Sequence, residues 1–108
     1  MKEALQLSAS DRVLFVNIKR SFNCTDRHSE YYRPSVYEAT RKYWRISKQR
    51  LPKISLVLGH VDGIVKEVIV PSKWFLSTDP RYPNRYECEG KEIEDSPYLN
   101  KDASQIIT

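Results

Sequence analysis

The sequence predicts an α+β domain with a small, strongly bent, mainly antiparallel sheet or partial β-barrel, one main helix and one short helix. Three observations predict this class: an early apolar run, a capped helical segment after it, and a hairpin signal at Asp62-Gly63. A set of strands interrupted by one helical insertion is typical of α+β domains. The length of 108 residues fits a single domain over residues 1–108.

The first strand is predicted over residues 11–18, with the sequence DRVLFVNI. Apolar side chains fall on both faces of this segment, which is typical of a strand in the centre of a sheet. Residues 19–34 are polar and irregular and end at Pro34, so they are predicted to form a long connection. Long ordered connections in compact domains often carry function.

A helix is predicted to begin at Ser35. Residues 35–38, SVYE, have the form of a capping box, in which a serine caps the helix and a glutamate follows three residues later. Helical spacing then defines a core stripe and an adjoining stripe. The core stripe is Val36, Ala39, Tyr43 and Ile46, and the adjoining stripe is Tyr37, Arg41 and Trp44. Ser47 is predicted to cap a short helical turn over residues 48–51, which Pro52 ends.

Residues 54–70 are predicted to form a β-hairpin. Two β-branched runs flank Asp62-Gly63, and this dipeptide readily adopts the positive φ angles of a tight hairpin turn. Pro71 and Ser72 are expected to end the second strand. His60 is expected to lie exposed near the hairpin tip.

The rest of the chain is predicted from proline, glycine and charge. A loop is expected over residues 78–84, and a last strand over 85–88 that Gly90 closes. Residues 91–108 are predicted to form an acidic, weakly helical tail, outside a core of residues 11–90.

Charge is distributed unevenly along the chain. Residues 19–53 carry ten Lys and Arg against three acidic residues, whereas residues 54–108 have a net charge of −3. Such asymmetry indicates a basic face and favours an anionic partner. Aromatic residues lie among these cations over residues 31–50, and rings with cations are the side chains that hold single-stranded nucleic acid.

The leading hypothesis is therefore a nucleic-acid-binding module, for DNA or RNA, that recognises an unpaired or modified base. The predicted binding residues are Tyr37, Arg41, Trp44, Arg45, Lys48 and Trp74. Two other interpretations stay open. The cations are solvated and the tryptophans belong to the core, or the chain binds another protein, such as a host enzyme or a second copy of itself.

Catalysis is the weaker hypothesis. Three candidate pairs exist, Glu38 with Arg41, His60 with Asp62, and Cys24 with His28, but none forms a recognisable catalytic constellation. Two cysteines and two histidines without metal-ligand spacing predict no metal, and three glycines argue against a glycine-rich phosphate loop, so no cofactor is expected. Both cysteines are expected to be reduced thiols.

The sequence predicts no membrane association. No apolar run reaches the length of a membrane span, and the N-terminal segment lacks the apolar centre of a signal peptide. A cytoplasmic location is therefore expected.

Three segments resemble those of uncharacterised small proteins and domains of bacteria and their phages. YEATRKYWR at residues 37–45 is similar to a Y-E-A-T-R-x-x-W-[RK] segment, and GIVKEV at residues 63–68 and Trp74-Phe75 match a later strand and aromatic pair. RYECEG at residues 85–90 is similar to a third segment, so the resemblance covers about residues 11–90.

The pattern is more distantly similar to the PUA-like group of small barrels, which includes the ASCH and EVE domains. That resemblance implies a barrel fold and binding of RNA or DNA, in some members through a base pocket beside a helix. The chain lacks the glycine-lysine entry to the first strand that many ASCH domains have, so no base-pocket residue is transferred from them.

Overall fold

The computed structural model describes residues 3–8 and 10–106 and confirms the α+β class. Its sheet is mixed, with the order β1 (Val13–Asn17), β2 (Leu56–Val61), β3 (Ile64–Leu76) and β4 (Tyr86–Glu92). β1 is parallel to β2, and the two other pairings are antiparallel.

The first strand lies at an edge of the sheet, and its predicted central place was wrong. Its two-sided apolar pattern has another cause, because each face of the sheet carries its own core cluster. Leu14 and Val16 pack with the cluster around Ile18 and Ile69, whereas Phe15 packs with the cluster around Leu58. An edge strand that is covered on both faces has the same pattern as a central strand.

The predicted helix begins where expected but is shorter. In α2 (Val36–Arg41), Ser35 Oγ accepts a hydrogen bond from the backbone N–H of Glu38 at 3.1 Å. Lys42 is extended, and Trp44 then forms two backbone hydrogen bonds of 2.8 Å with Tyr86. This pairing with β4 overrides the helical pattern, so the predicted helical stripes that included Tyr43 and Trp44 do not form.

Two other helical segments differ in detail from the prediction. A short helix, α1 (Lys19–Phe22), starts the connection that was predicted to be irregular throughout. The second helical segment is a 3-10 helix, Lys48–Lys53, that includes Pro52 instead of ending before it. Ser47 occupies the N-cap position but makes no side-chain capping bond.

The hairpin is confirmed. Asp62 and Gly63 have φ angles of 52° and 87°, as a tight two-residue turn requires. His60 is buried, not exposed as predicted, with 7 % of its surface accessible. It lies opposite Val65, and Val65 is itself hydrogen-bonded through both backbone groups to residues 100–101, so the C-terminal segment reaches this end of the hairpin.

The last two strands, β3 and β4, continue beyond their predicted ends. β3 passes through Pro71 because a register shift between Pro71 and Lys73 accommodates a residue without an N–H. β4 passes through Gly90, where a Cβ would lie 2.3 Å from the Val70 carbonyl oxygen. Glycine is therefore needed here for close packing of the strands, and it does not end the strand.

The predicted weakly helical tail is also corrected. Residues 98–106 form turns and short bridges without a helix, and Asp102 bridges to both Ala4 and Ile64. Ala103 is completely buried and donates its backbone N–H to the Gly63 carbonyl at 2.8 Å. Backbone pairing with the hairpin and with the N-terminal segment competes with helix formation here.

The four-stranded sheet is not closed. β1 and β4 are its opposite edges, yet Asn17 at the end of β1 and Arg85 just before β4 line one cavity. Residues at the ends of both edge strands therefore face one shared space. No helix in the described ranges is both long and apolar enough to cross a membrane.

Candidate anion-binding pocket

The cavity between the edge strands β1 and β4 has a volume of about 730 Å³. It lies where β1 ends, α1 begins, the chain leaves α2, and the 78–84 loop enters β4. Five cationic side chains line it: Lys19, Arg20, Arg33, Lys42 and Arg85. Four aromatic side chains line it as well: Tyr31, Tyr43, Trp44 and Tyr82. No carboxylate belongs to the lining among the described residues, and we call this cavity the basic–aromatic pocket.

Stacked rings form part of its wall. The rings of Tyr43 and Tyr82 are nearly parallel, at 20°, with centroids 4.6 Å apart. The guanidinium carbon of Arg33 lies 4.9 Å from the centre of Tyr43, and that of Arg85 lies 5.4 Å from the centre of Tyr82. Arg20 lies 4.6 Å from the ring of Tyr31. Cation–π contacts of this kind orient guanidinium groups without neutralising them.

The cations differ in their partners. Lys19 Nζ lies 2.8 Å from Asp62 Oδ1, and Lys42 Nζ lies 3.8 Å from Glu38 Oε1. Within the described ranges, Arg20 and Arg85 have no carboxylate partner within 4.0 Å. These two guanidinium groups are therefore available to an anionic ligand.

Arg33 is held mainly by the backbone. Its Nη1 donates to the carbonyls of Glu30 and Tyr32, each at 2.7 Å. Its Nε is buried and has no hydrogen-bond partner among the described atoms. A buried charged donor without a partner is costly, and a bound anion is one group that relieves this cost.

The tyrosine hydroxyls do not cancel the positive charge. Burial, followed by the charge of Asp79, raises the pKa of Tyr43 above its ordinary value. Burial, followed by the hydrogen bond that Tyr82 donates to Glu30 at 2.9 Å, raises the pKa of Tyr82. Both rings therefore stay neutral at physiological pH. Asp79 is held in ion pairing by Arg81 at 2.8 Å, outside the lining.

Arg41, a predicted binding residue, is occupied by other contacts. Its Nε donates to both carboxylate oxygens of Glu38, at 2.6 and 2.9 Å, and its Nη1 donates to Glu87 and to the Cys88 carbonyl, each at 3.2 Å. Burial acts to raise the pKa of Glu38, but the hydrogen bond from Arg41 and the charge of Lys42 hold that pKa below its ordinary value. The side chain of Arg41 is only 16 % exposed.

Tyr37 also contacts β4. Its hydroxyl accepts a hydrogen bond from the Gly90 N–H at 3.2 Å. The backbone groups of Tyr86 point away from β3, towards Trp44, and alternate residues point the same way. Tyr37 and Arg41 therefore supply hydrogen-bond partners for backbone groups on the edge of β4 that faces away from β3. These groups are the Gly90 N–H and the Cys88 carbonyl.

Of the six predicted binding residues, only Trp44 lines the pocket. Its indole Nε1 donates to the Thr40 carbonyl at 2.7 Å, which fixes the ring at the end of α2. Trp74 packs against the first core cluster instead, with a buried Nε1 that lacks a partner among the described atoms. Arg45 and Lys48 are exposed and lie outside the lining.

Sequence reasoning missed most of the lining. Lys19, Arg20, Arg33 and Lys42 lie within the basic segment 19–53, so their charge was noticed but not their convergence. Arg85 and Tyr82 come from a separate part of the chain, and no local pattern connects them with that segment. Their position beside that segment depends on the tertiary fold of the whole sheet.

The three pairs considered for catalysis do not converge on a reactive centre. Asp62 pairs with Lys19, and His60 Nδ1 is buried without a partner among the described atoms, while burial lowers the pKa of the imidazole. Cys24 Sγ contacts the Asp26 carbonyl at 3.6 Å rather than His28. Both cysteines are free, and no group of three potential metal ligands occurs in the part of the chain that the structure describes.

Comparison of the chain with family models, curated proteins and solved structures finds no match.

Proposed function

We propose that the protein is a nucleic-acid-binding module that holds an unpaired nucleotide in the basic–aromatic pocket. One observation carries the proposal: among the described residues, five cationic and four aromatic side chains line a single cavity, and none of its lining residues is a carboxylate. Cations supply phosphate contacts, and each contact gains free energy because counterions are released. Aromatic rings supply stacking surfaces for a base, worth about 1–3 kcal/mol per base.

The size of the pocket supports a ligand of this class. A volume of about 730 Å³ falls within the range of about 300–1,000 Å³ that is usual for small-molecule sites. A nucleotide combines a phosphate with a planar ring, and both chemistries occur on the walls. Inorganic anions would use the cations but not Tyr31 or Trp44.

A PUA-like barrel is the finer fold proposal. Residues next to both edge strands, β1 and β4, line the same cavity, and the chain leaves α2 at its rim through Lys42. A base pocket beside a helix in a small curled sheet is the arrangement that the PUA-like resemblance implies. The match to that group is one of pattern, so the binding test below does not depend on it.

Binding is tested by fluorescence anisotropy with labelled single-stranded DNA, single-stranded RNA and duplex DNA at about 50 mM salt, where phosphate contacts are strong. We expect the single strands to bind more tightly than the duplex. The double variant Arg20→Gln/Arg85→Gln is expected to lower single-strand affinity about tenfold or more, because both cations are free of carboxylate partners. Absence of binding to all three probes would overturn the proposal.

A matched control removes the same charge elsewhere. Lys73 and Lys91 are exposed residues of β3 and β4 and do not line the pocket. The double variant Lys73→Gln/Lys91→Gln is expected to bind like the unaltered protein. An equal loss of affinity in both double variants would show that net charge, and not the pocket, governs binding.

Binding to a protein partner remains the alternative proposal. Within residues 3–8 and 10–106, the large apolar side chains that are exposed belong to α1, β3 and the C-terminal segment: Phe22, Val70, Leu76 and Ile106. An anisotropy result without nucleic-acid binding, together with capture of a defined protein that Phe22→Ser or Leu76→Ser abolishes, would favour this alternative.

A further inference from the structure

A second group of cations lies at the opposite end of β1 from the basic–aromatic pocket. Arg12, Arg50 and Lys53 line a depression together with Asp11 and Val13. Arg12 lies immediately before β1, and Arg50 and Lys53 belong to the 3-10 helix. We call this the second basic site.

The 3-10 helix is fixed against the start of β1. Ser55 lies just after the helix, and its backbone N–H donates to the Arg12 carbonyl at 2.8 Å. The Arg12 N–H donates in return to Ser55 Oγ at 2.8 Å. These bonds bring Arg12 close to Arg50 and Lys53 even though more than 35 residues separate them in sequence.

The second basic site keeps its positive charge. All three of its cations are exposed, and none has a carboxylate within 4.0 Å among the described residues. Its one acidic residue, Asp11, accepts a hydrogen bond of 2.5 Å from the Tyr98 hydroxyl. This contact does not cancel the charge of Asp11, but three cationic side chains against one acidic side chain leave the site with a net positive charge.

β1 sets the distance between the two sites. Val13 lines the second site and Asn17 lines the basic–aromatic pocket. Four residue steps of about 3.3 Å separate them, or about 13 Å along the strand. A strand stacked as in duplex DNA rises about 3.4 Å per nucleotide and an unstacked strand is more extended, so this distance corresponds to about four nucleotides at most.

Two further exposed cations lie in the chain between the sites. Arg45 follows Trp44 of the pocket, and Lys48 begins the 3-10 helix of the second site. Neither has an ion-pair partner in the described part of the chain. Repeated cations that are not paired favour a polyanion with regularly spaced phosphates over a ligand with a single phosphate.

The geometry points to a single-stranded oligonucleotide of several nucleotides, with one nucleotide in the basic–aromatic pocket and its phosphate backbone continuing to the second basic site. This inference rests on the proposed function of the pocket. The second site contributes phosphate contacts only, since none of its lining residues in the described part of the chain is aromatic. It therefore adds affinity without adding base preference.

The inference is tested by comparing short and long probes. Labelled oligothymidylates of about two and about eight nucleotides, below and above the expected site size, are titrated at about 50 mM salt. The unaltered protein is expected to bind the long probe at least about tenfold more tightly, because only that probe reaches both sites.

The variant Arg50→Gln/Lys53→Gln is expected to lose that advantage and to bind the short probe as the unaltered protein does. The variant Arg20→Gln/Arg85→Gln is expected to weaken binding of both probes. Lys73→Gln/Lys91→Gln serves as the control with the same loss of charge.

Two results would overturn the inference while leaving the proposed function intact. One is equal affinity of the unaltered protein for both probes. The other is undiminished binding of the long probe by Arg50→Gln/Lys53→Gln. Failure of the unaltered protein to bind either probe would overturn the proposed function together with this inference.

Discussion

The ring of Tyr43 stacks on the ring of Tyr82 at a centroid distance of 4.6 Å. The first residue follows α2 and the second belongs to the loop before β4, so this contact joins two distant parts of the chain at one wall of the basic–aromatic pocket. Arg33 and Arg85 lie against the same pair of rings. The stack thus positions cations as well as aromatic surface.

Replacing Tyr82 with alanine should weaken single-strand binding. The change removes one stacked ring and the surface against which Arg85 lies, and we expect a loss of about 1–3 kcal/mol in binding free energy. Tyr82→Phe keeps the ring and should retain most of the affinity. Anisotropy titrations compare the two variants, and equal affinities for both would contradict a role for the ring.

Arg41 should matter for stability rather than for binding. Its guanidinium satisfies Glu38, Glu87 and the Cys88 carbonyl in a half-buried position, so Arg41→Ala leaves two carboxylates without their partner. We expect a decrease of about 2–3 kcal/mol in the free energy of unfolding, measured with urea. Affinity for single strands should change little in conditions where the variant is folded. If Arg41→Ala were as stable as the unaltered protein but did not bind single strands, Arg41 would have a direct role in binding.

The close approach of α2 to β2 predicts a coupled pair of substitutions. A Cβ at Gly59 would lie 2.3 Å from Thr40 Oγ1, so Gly59→Ala should lower the free energy of unfolding by about 2 kcal/mol. Thr40→Ala removes the clashing atom and leaves Ile18 Cδ1 as the nearest contact, at 3.2 Å. The double variant should therefore be more stable than the sum of the two single effects predicts. Simple additivity would contradict the contact.

Stability should depend on pH through Glu67. Burial, followed by the hydrogen bond that protonated Glu67 donates to the carboxylate of Glu92, raises the pKa of Glu67 to about 7, from an ordinary value of 4.5. The folded state thus binds more protons than the unfolded state between these two values. The stabilisation that protonated Glu67 contributes to the folded state is fully present below about pH 4.5 and is lost as pH rises towards about 7.

Glu67→Gln should remove this part of the pH dependence. We expect the variant to be more stable than the unaltered protein above pH 7, by about 2 kcal/mol, because glutamine carries no buried charge. Urea unfolding at several pH values provides the measurement. Parallel stability curves for the two proteins would show that Glu67 titrates normally.

Local signals in the sequence predicted the elements that depend on neighbouring residues. The cap at Ser35, the turn at Asp62-Gly63 and the first strand each follow from short-range chemistry. The end of α2 did not, because Trp44 leaves the helical pattern to pair with Tyr86, more than 40 residues away. Non-local pairing of this kind carries no mark in a short stretch of sequence.

The sequence predicted the positive charge of the candidate site but, apart from Trp44, not the residues that line it. A basic segment was evident, but the expected helical face of Tyr37, Arg41 and Trp44 does not form, because α2 ends at Arg41. Two of those side chains satisfy the edge of β4 instead. Which cations lie close together then depends on the tertiary arrangement of the whole sheet and its connections.

The salt dependence of single-strand binding tests the central proposal most directly. The logarithm of the association constant should fall linearly with the logarithm of salt concentration, with a slope of about −0.7 for each phosphate contact. For Arg20→Gln/Arg85→Gln, we predict a slope that is shallower by about 1.4, while Lys73→Gln/Lys91→Gln keeps the original slope. Identical slopes for all three proteins, or binding that does not respond to salt, would contradict phosphate recognition by the basic–aromatic pocket.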